Sequence, residues 1–303
     1  MIRTKSGAAA LSIASNSFLI AIKLAAGAIT GSIAILTEAI HSLIDLVASV
    51  VAFVSVRKAD EPADAEHPYG HEKVESLAAT IEGLLILAGA GIIVYEATRR
   101  LVAGSVVEEL GIGIAVMAFS VVANLAVSTV LYRQARVHES PALEGDAAHL
   151  RTDAMTSAGV LAGLALIELT GSAAFDSITA LVVAAAIVVA GIRIVRRSSG
   201  VLVDEALPTE EMDGIETAIA AARTPEVAGY HKLRARRAGA RRYIDLHVQY
   251  RAGTSLERAH ELSHALRDAI EAVVPRAEVM IHAEPETSLR DPRRARSGPF
   301  RAG

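Results

Sequence analysis

The chain contains no cysteine, which excludes thiolate metal sites and disulfides and leaves histidine and carboxylate as its strong metal ligands. It also lacks a large imbalance of charge: the formal net charge is −4 over 303 residues, with an isoelectric point near 6.2, and nothing global points to a nucleic-acid partner. The beginning of the chain lacks the short apolar stretch and small-residue cleavage site of a signal peptide, so its first apolar segment reads as a retained helix.

What is present is apolar sequence in long runs. Hydrophobic residues make up 52% of the chain and its mean hydropathy is +0.38. Six stretches are long enough to cross a bilayer, at about 8–30, 33–56, 76–98, 111–133, 144–167 and 174–194. If the spans alternate, Arg3 and Lys5, Arg57 and Lys58, Arg133 and Arg136, and Arg193, Arg196 and Arg197 fall on one side, with Arg99 and Arg100 as the exception. The positive-inside bias therefore places both termini in the cytoplasm of a multi-pass inner-membrane protein.

After Arg197 the composition turns soluble. The pattern predicts a helix over 209–222, strands over 227–237 and 241–251, a helix over 255–273 and a strand over 277–282. The expected fold is thus an all-α transmembrane bundle of six helices (1–203), then an α+β domain of order α-β-β-α-β with one helical layer on a sheet (204–286), then a basic disordered tail (287–303). In the second strand Ile244, Leu246, Val248 and Tyr250 alternate with Asp245, His247 and Gln249, which turns His247 away from the core. About 80 residues make a thin core, for which a dimer interface or bound metal is a natural supplement.

Ionisable groups interrupt the apolar runs at matched places. In "EAIHSLIDLV" His41 and Asp45 are four residues apart and share a helix face; in "GDAAHLRTDAM" of the fifth span His149 and Asp153 repeat the spacing. Glu38 and Asp146 each precede the histidine by three. Two imidazoles and two carboxylates from two helices match the number and type of ligands that tetrahedral Zn²⁺ takes, and ionisable groups at membrane depth mark ion pathways. The alternative is a helix-packing hydrogen bond in each pair. Lys23, Asn16, Asn124 and Glu82, also polar at depth, read as interhelical contacts or snorkelling groups. The basic run "RARRAGARR" (234–242) reads as a solvated hairpin turning at 238–240, with anionic lipid contact as the alternative.

The motifs "HSLID", "HPYGHEKVESLAA", "HLRTD" and "VDEALP", in this order, resemble the cation diffusion facilitator family of divalent-metal/proton antiporters. The resemblance implies a homodimer of six-helix protomers with cytoplasmic metallochaperone-like domains, and His41, Asp45, His149 and Asp153 as the transport site. The His/Asp pairing is similar to that of zinc-selective members. It further implies a second zinc site in the loop at Asp64, His67 and His71, a dimer-interface metal cluster at His231, His247, His260, His282 and Glu284, and a charge interlock between Lys73 and Asp204. Glu284 departs from the family's usual Asp, and His264 reads as a solvated helix residue.

With Zn²⁺ bound, two carboxylates and two neutral imidazoles sum to about zero charge; emptied and deprotonated, the site carries about −2, which a membrane interior does not tolerate. Protons must replace the metal, and antiport follows from the ligand set. The function expected is export of Zn²⁺ in exchange for protons across a lipid membrane. Fe²⁺, Co²⁺, Mn²⁺ and Cd²⁺ are alternative cargoes, because selectivity depends on geometry. A membrane-embedded zinc hydrolase with Glu38 as its base, or a metal sensor anchored by its spans, are the rival classes; an anchor alone has no need of the second His/Asp pair.

Overall fold

The computed structural model describes residues 4–30, 33–103, 111–170 and 174–288; the tail beyond 288, expected to be disordered, lies outside the described residues. The chain divides into two compact units, 1–200 and 201–303.

The first unit holds six long helices: α1 (Lys5–Thr30), α2 (Ile33–Ala59), α3 (Lys73–Ala103), α4 (Gly111–His138), α5 (Pro141–Thr170) and α6 (Ala174–Leu202). In lipid only a helix or closed barrel satisfies its own backbone, so long runs rich in Ala, Leu, Ile and Val become continuous helices. Five of them are long and apolar enough to cross a membrane; α2 carries undescribed side chains through residue 41. Helix α3 runs past its expected span at both ends and α6 past the end of its span, since charged ends such as Lys73 and Arg197 lengthen a helix beyond its apolar stretch.

Polarity in this unit is inverted relative to a water-soluble fold. Phe18, Leu43, Val54, Leu84, Ile92, Val122 and Val182 are exposed, whereas Ser12, Asn16, Ser49, Glu82 and Asp146 are buried. Lipid solvates the apolar exterior, and small or polar residues mediate packing between helices. Helix α5 is central, packing on α2, α3 and α4, and α1 packs on α2 and α4. Among the glycines at close approaches, a side chain at Gly145 of α5 would run into the Glu82 carboxylate of α3, and one at Gly191 of α6 would come within 2.9 Å of Leu87.

The second unit contains α7 (Thr209–Ala222), β1 (Val227–Ala238), β2 (Arg241–Tyr250), α8 (Leu256–Val273), β3 (Ala277–Pro285) and a short 3₁₀ turn (Glu286–Ser288). The sheet order is β1-β2-β3, with β2 antiparallel to β1 and parallel to β3. Gly239 (φ 54°) turns the hairpin, a backbone region glycine enters without penalty. Ser255 caps α8 by accepting from the Arg258 amide at 3.2 Å. Ile215, Ile219, Leu262, Leu266 and Ile270 of the helices pack with Ile244, Leu246 and Val248 in one core, so one face of the sheet is covered by helices. Strand β3 runs three residues beyond the expected end at His282, because the parallel ladder with β2 continues to the Tyr250↔Pro285 pair. Glu284 is therefore a strand residue.

Candidate metal centres

Among the described residues three groups of histidine and carboxylate donors converge, each with its ligand atoms within 4.8 Å of one another.

The first lies inside the helical bundle. Asp45 of α2 and His149 and Asp153 of α5 come together, with His149 Nε2 3.1 Å from Asp45 Oδ1 and 4.0 Å from Asp153 Oδ2. The helical repeat stacks His149 under Asp153, and the α2–α5 contact brings Asp45 to the same point. Asp45 is 5% and His149 7% exposed, so a cation held here is removed from bulk solvent. His41 lies one turn before Asp45 on α2; its side chain, like that of Glu38, lies outside the described residues.

Beside this group runs a buried polar network that periodicity alone did not assign. Asp146 Oδ1 accepts from Ser12 at 3.1 Å and from Ser49 at 3.0 Å, and Asn16 Nδ2 donates to Ser49 at 2.8 Å. These bonds join α1, α2 and α5. Lys23 donates to Ser42 at 2.7 Å, a further α1–α2 bond. Glu82 is fully buried, and neither of its oxygens has a hydrogen-bond partner among the described residues. The signal for Asp146 was its place three residues before His149, matching Glu38 before His41; the serines carry no such signal.

The second group occupies the turn between α2 and α3. Asp64 Oδ1 accepts from the backbone amides of His67 (2.6 Å) and Glu66 (2.9 Å), an Asx turn that folds the segment back on itself. The His67 amide, above all, holds the Asp64 carboxyl below the usual range. Gly70 (φ 88°) reverses the chain and returns His71, buried, so that its Nε2 lies 3.2 Å from Asp64 Oδ2. The His67 and His71 rings lie with centroids 4.5 Å apart, tilted by 46°. Lys73 starts α3 immediately afterwards.

The third group lies on the sheet. Strand register sets His231, His247 and His282 side by side across β1, β2 and β3. Because Leu246 and Val248 enter the core, His247 points to the opposite face. Glu284 accepts from both neighbours, 2.9 Å from His231 Nε2 and 2.6 Å from His247 Nδ1. His282 is more exposed, 3.6 Å from Glu284 Oε1, with its ring 4.6 Å from that of His247. His260 is not in this group: on α8 its Nε2 lies 3.0 Å from that of His264, which in turn meets Arg267.

Asp204 accepts from Arg236 at 2.9 Å within the second unit. Arg234 pairs with Asp245 and Arg242 with Glu211, while Arg237 donates to the Gly239 carbonyl. The basic hairpin thus spends much of its charge on its own unit.

A family model described as the cation efflux transmembrane domain matches residues 9–203, and one for the cytoplasmic domain of cation efflux proteins matches residues 207–286. An uncharacterized transporter of Synechocystis is 34% identical over 285 residues, 94% of this chain and 91% of that one. The cation-efflux pump FieF of Klebsiella pneumoniae is 32% identical over 285 residues, 94% of each chain. Among solved structures, the metal-bound C-terminal domain of the CzcD transporter from Thermotoga maritima is 29% identical, covering 27% of this chain and 99% of that one, with a TM-score of 0.25.

Proposed function

The chain belongs to the cation diffusion facilitator family, a family of membrane cation-efflux transporters, and from that membership we propose that it exports Zn²⁺ from the cytoplasm in exchange for protons, by alternating access, as a homodimer in the inner membrane with both termini cytoplasmic. One observation carries the reading: the buried meeting of Asp45, His149 and Asp153 from two helices. His41, on the same helix as Asp45, completes the four-ligand set. Imidazole nitrogen and carboxylate oxygen in equal number suit a borderline cation such as Zn²⁺ better than a hard one.

The ligand set also explains the exchange. A dication entering two carboxylates leaves about no net charge, and its departure leaves about two negative charges at membrane depth, where protons are the available replacement. Nearby, the Ser12–Ser49–Asp146 network ties α1 and α2 to α5 and so joins the two ligand-bearing helices.

The groups at Asp64, His67 and His71 and at His231, His247, His282 and Glu284 are read as structural or regulatory zinc sites, with His260 of α8 as a further donor to the latter. Lys73 and Asp204 are read as a charge interlock near the membrane surface. The test of cargo is uptake by the reconstituted protein of Zn²⁺ in competition with Fe²⁺, Co²⁺, Mn²⁺ and Cd²⁺. Zinc should be taken up preferentially, and equal uptake of a competing ion would remove zinc as the cargo.

A further inference from the structure

The bundle carries a second built feature, at the end where α4 and α6 finish and α5 begins. A cavity of about 400 Å³ opens there among Arg133, Arg136, Glu144, Arg151, Arg193 and Arg197. Five guanidiniums face one carboxylate. Glu144 is committed to Arg197, whose Nη1 it meets at 2.6 Å. Among the described residues Arg133, Arg136 and Arg193 have no carboxylate partner, and Arg151 lies over the Tyr132 ring, 4.4 Å from its centroid. Arg133 and Arg136 share one face of α4, and Arg193 and Arg197 one face of α6.

Compensation of the helix dipole explains a basic residue in a last turn. It does not explain Arg151, which follows Pro141 by about 15 Å of helix rise, within a membrane-crossing segment. Nor does it explain Arg193, which also lies within a crossing segment, nine residues before the end of α6. Uncompensated cations at such depth are costly unless an anion meets them.

Apolar surface continues directly below the charge. Exposed Val189 lies four residues from Arg193 on α6, exposed Met155 four from Arg151 on α5, and exposed Leu125 eight from Arg133 on α4. On each helix, one face passes from apolar flank to arginine.

The geometry points to a binding site for a phosphate group presented by the headgroup of an anionic phospholipid, with the acyl chains lying along the apolar faces of α4, α5 and α6. A bidentate guanidinium fork fits a phosphate diester, and basic pockets between helices at the cytoplasmic side take such headgroups. Free phosphate satisfies the arginines and leaves the apolar faces unused, which is why the lipid is the source.

The test uses the full chain in detergent with photoreactive phosphatidylglycerol, photoreactive phosphatidylcholine, and inorganic phosphate as competitor. Phosphatidylglycerol should label peptides of α4, α5 and α6 around the cavity, phosphatidylcholine should label them weakly, and millimolar phosphate should leave the label in place. Arg133→Gln with Arg193→Gln should weaken phosphatidylglycerol binding about fivefold per arginine removed. Equal labelling by the two lipids, or undiminished binding by the double variant, overturns the proposal. Displacement by millimolar phosphate overturns the lipid source and assigns the cavity to free phosphate. The wild-type labelling map decides the matter even if the variant does not fold.

Discussion

Asp45→Asn is the sharpest single perturbation of the site within the bundle. The amide keeps the volume and a hydrogen-bonding oxygen 3.1 Å from His149 Nε2, so helix packing should be preserved and the change should be one of charge. A dication bound by the variant retains one carboxylate, at Asp153, and so carries about one uncompensated positive charge in a place only 5–7% exposed. A charge at the centre of a membrane helix costs about 2.5–3.5 kcal/mol on insertion scales. That corresponds to about a hundredfold loss of zinc affinity. The assay is a competitive chelator titration of the full chain, in a background in which His67 and His247 are replaced so that the other two groups do not contribute. Thermal unfolding without metal verifies that the variant is folded. An affinity within threefold of the parent would refute the charge-balance reasoning.

His41→Asp should raise Cd²⁺ transport relative to Zn²⁺, since oxygen and an added negative charge replace a borderline nitrogen; an unchanged ratio in a two-metal uptake assay counts against His41 as the discriminator. Replacing His247 and His282 together should remove most of the zinc-dependent stabilisation of the sheet unit, about 2.7 kcal/mol at a hundredfold excess over Kd. Hydrogen exchange of β1 to β3 with and without zinc reads it, and equal protection in parent and variant would argue for a solvated surface. Gly145→Ala should destabilise the bundle by about 1–3 kcal/mol, because its side chain would meet the Glu82 carboxylate and lie 3.2 Å from Ala79 Cα. Adding Glu82→Ala should recover part of the loss; an unaltered melting temperature for Gly145→Ala alone would show that α3 and α5 are not so close.

Much of this was legible before any coordinates. The helices of the second unit and its hairpin follow from periodicity and turn residues, and α7 begins and ends at the expected residues, Thr209 and Ala222. Spacing alone placed His149 and Asp153 on one face of α5, as it placed His41 and Asp45 on α2. What spacing does not encode is which helices meet: the approach of Asp45 to His149 is a product of α2–α5 packing. The same holds for Ser12 and Ser49, ordinary residues of apolar helices until Asp146 is seen between them. The row His231, His247, His282 depended on register, which for β3 is fixed by a parallel crossover through α8 rather than by a local turn. The arginine cavity was legible only in part, as the positive-inside residues Arg133, Arg136, Arg193 and Arg197, and Arg151, which joins them from a third helix, carried no such signal.

Whether zinc leaves the site only against protons is decided by one measurement. The full chain is reconstituted in liposomes holding both a zinc indicator and a pH indicator, and a zinc gradient is imposed with no initial pH difference. Inward zinc movement should drive protons outward, alkalinising the lumen in step with zinc entry, and Asp45→Asn and Asp153→Asn should abolish both signals together. Zinc accumulation with no movement of protons, at wild-type rate, would contradict the exchange.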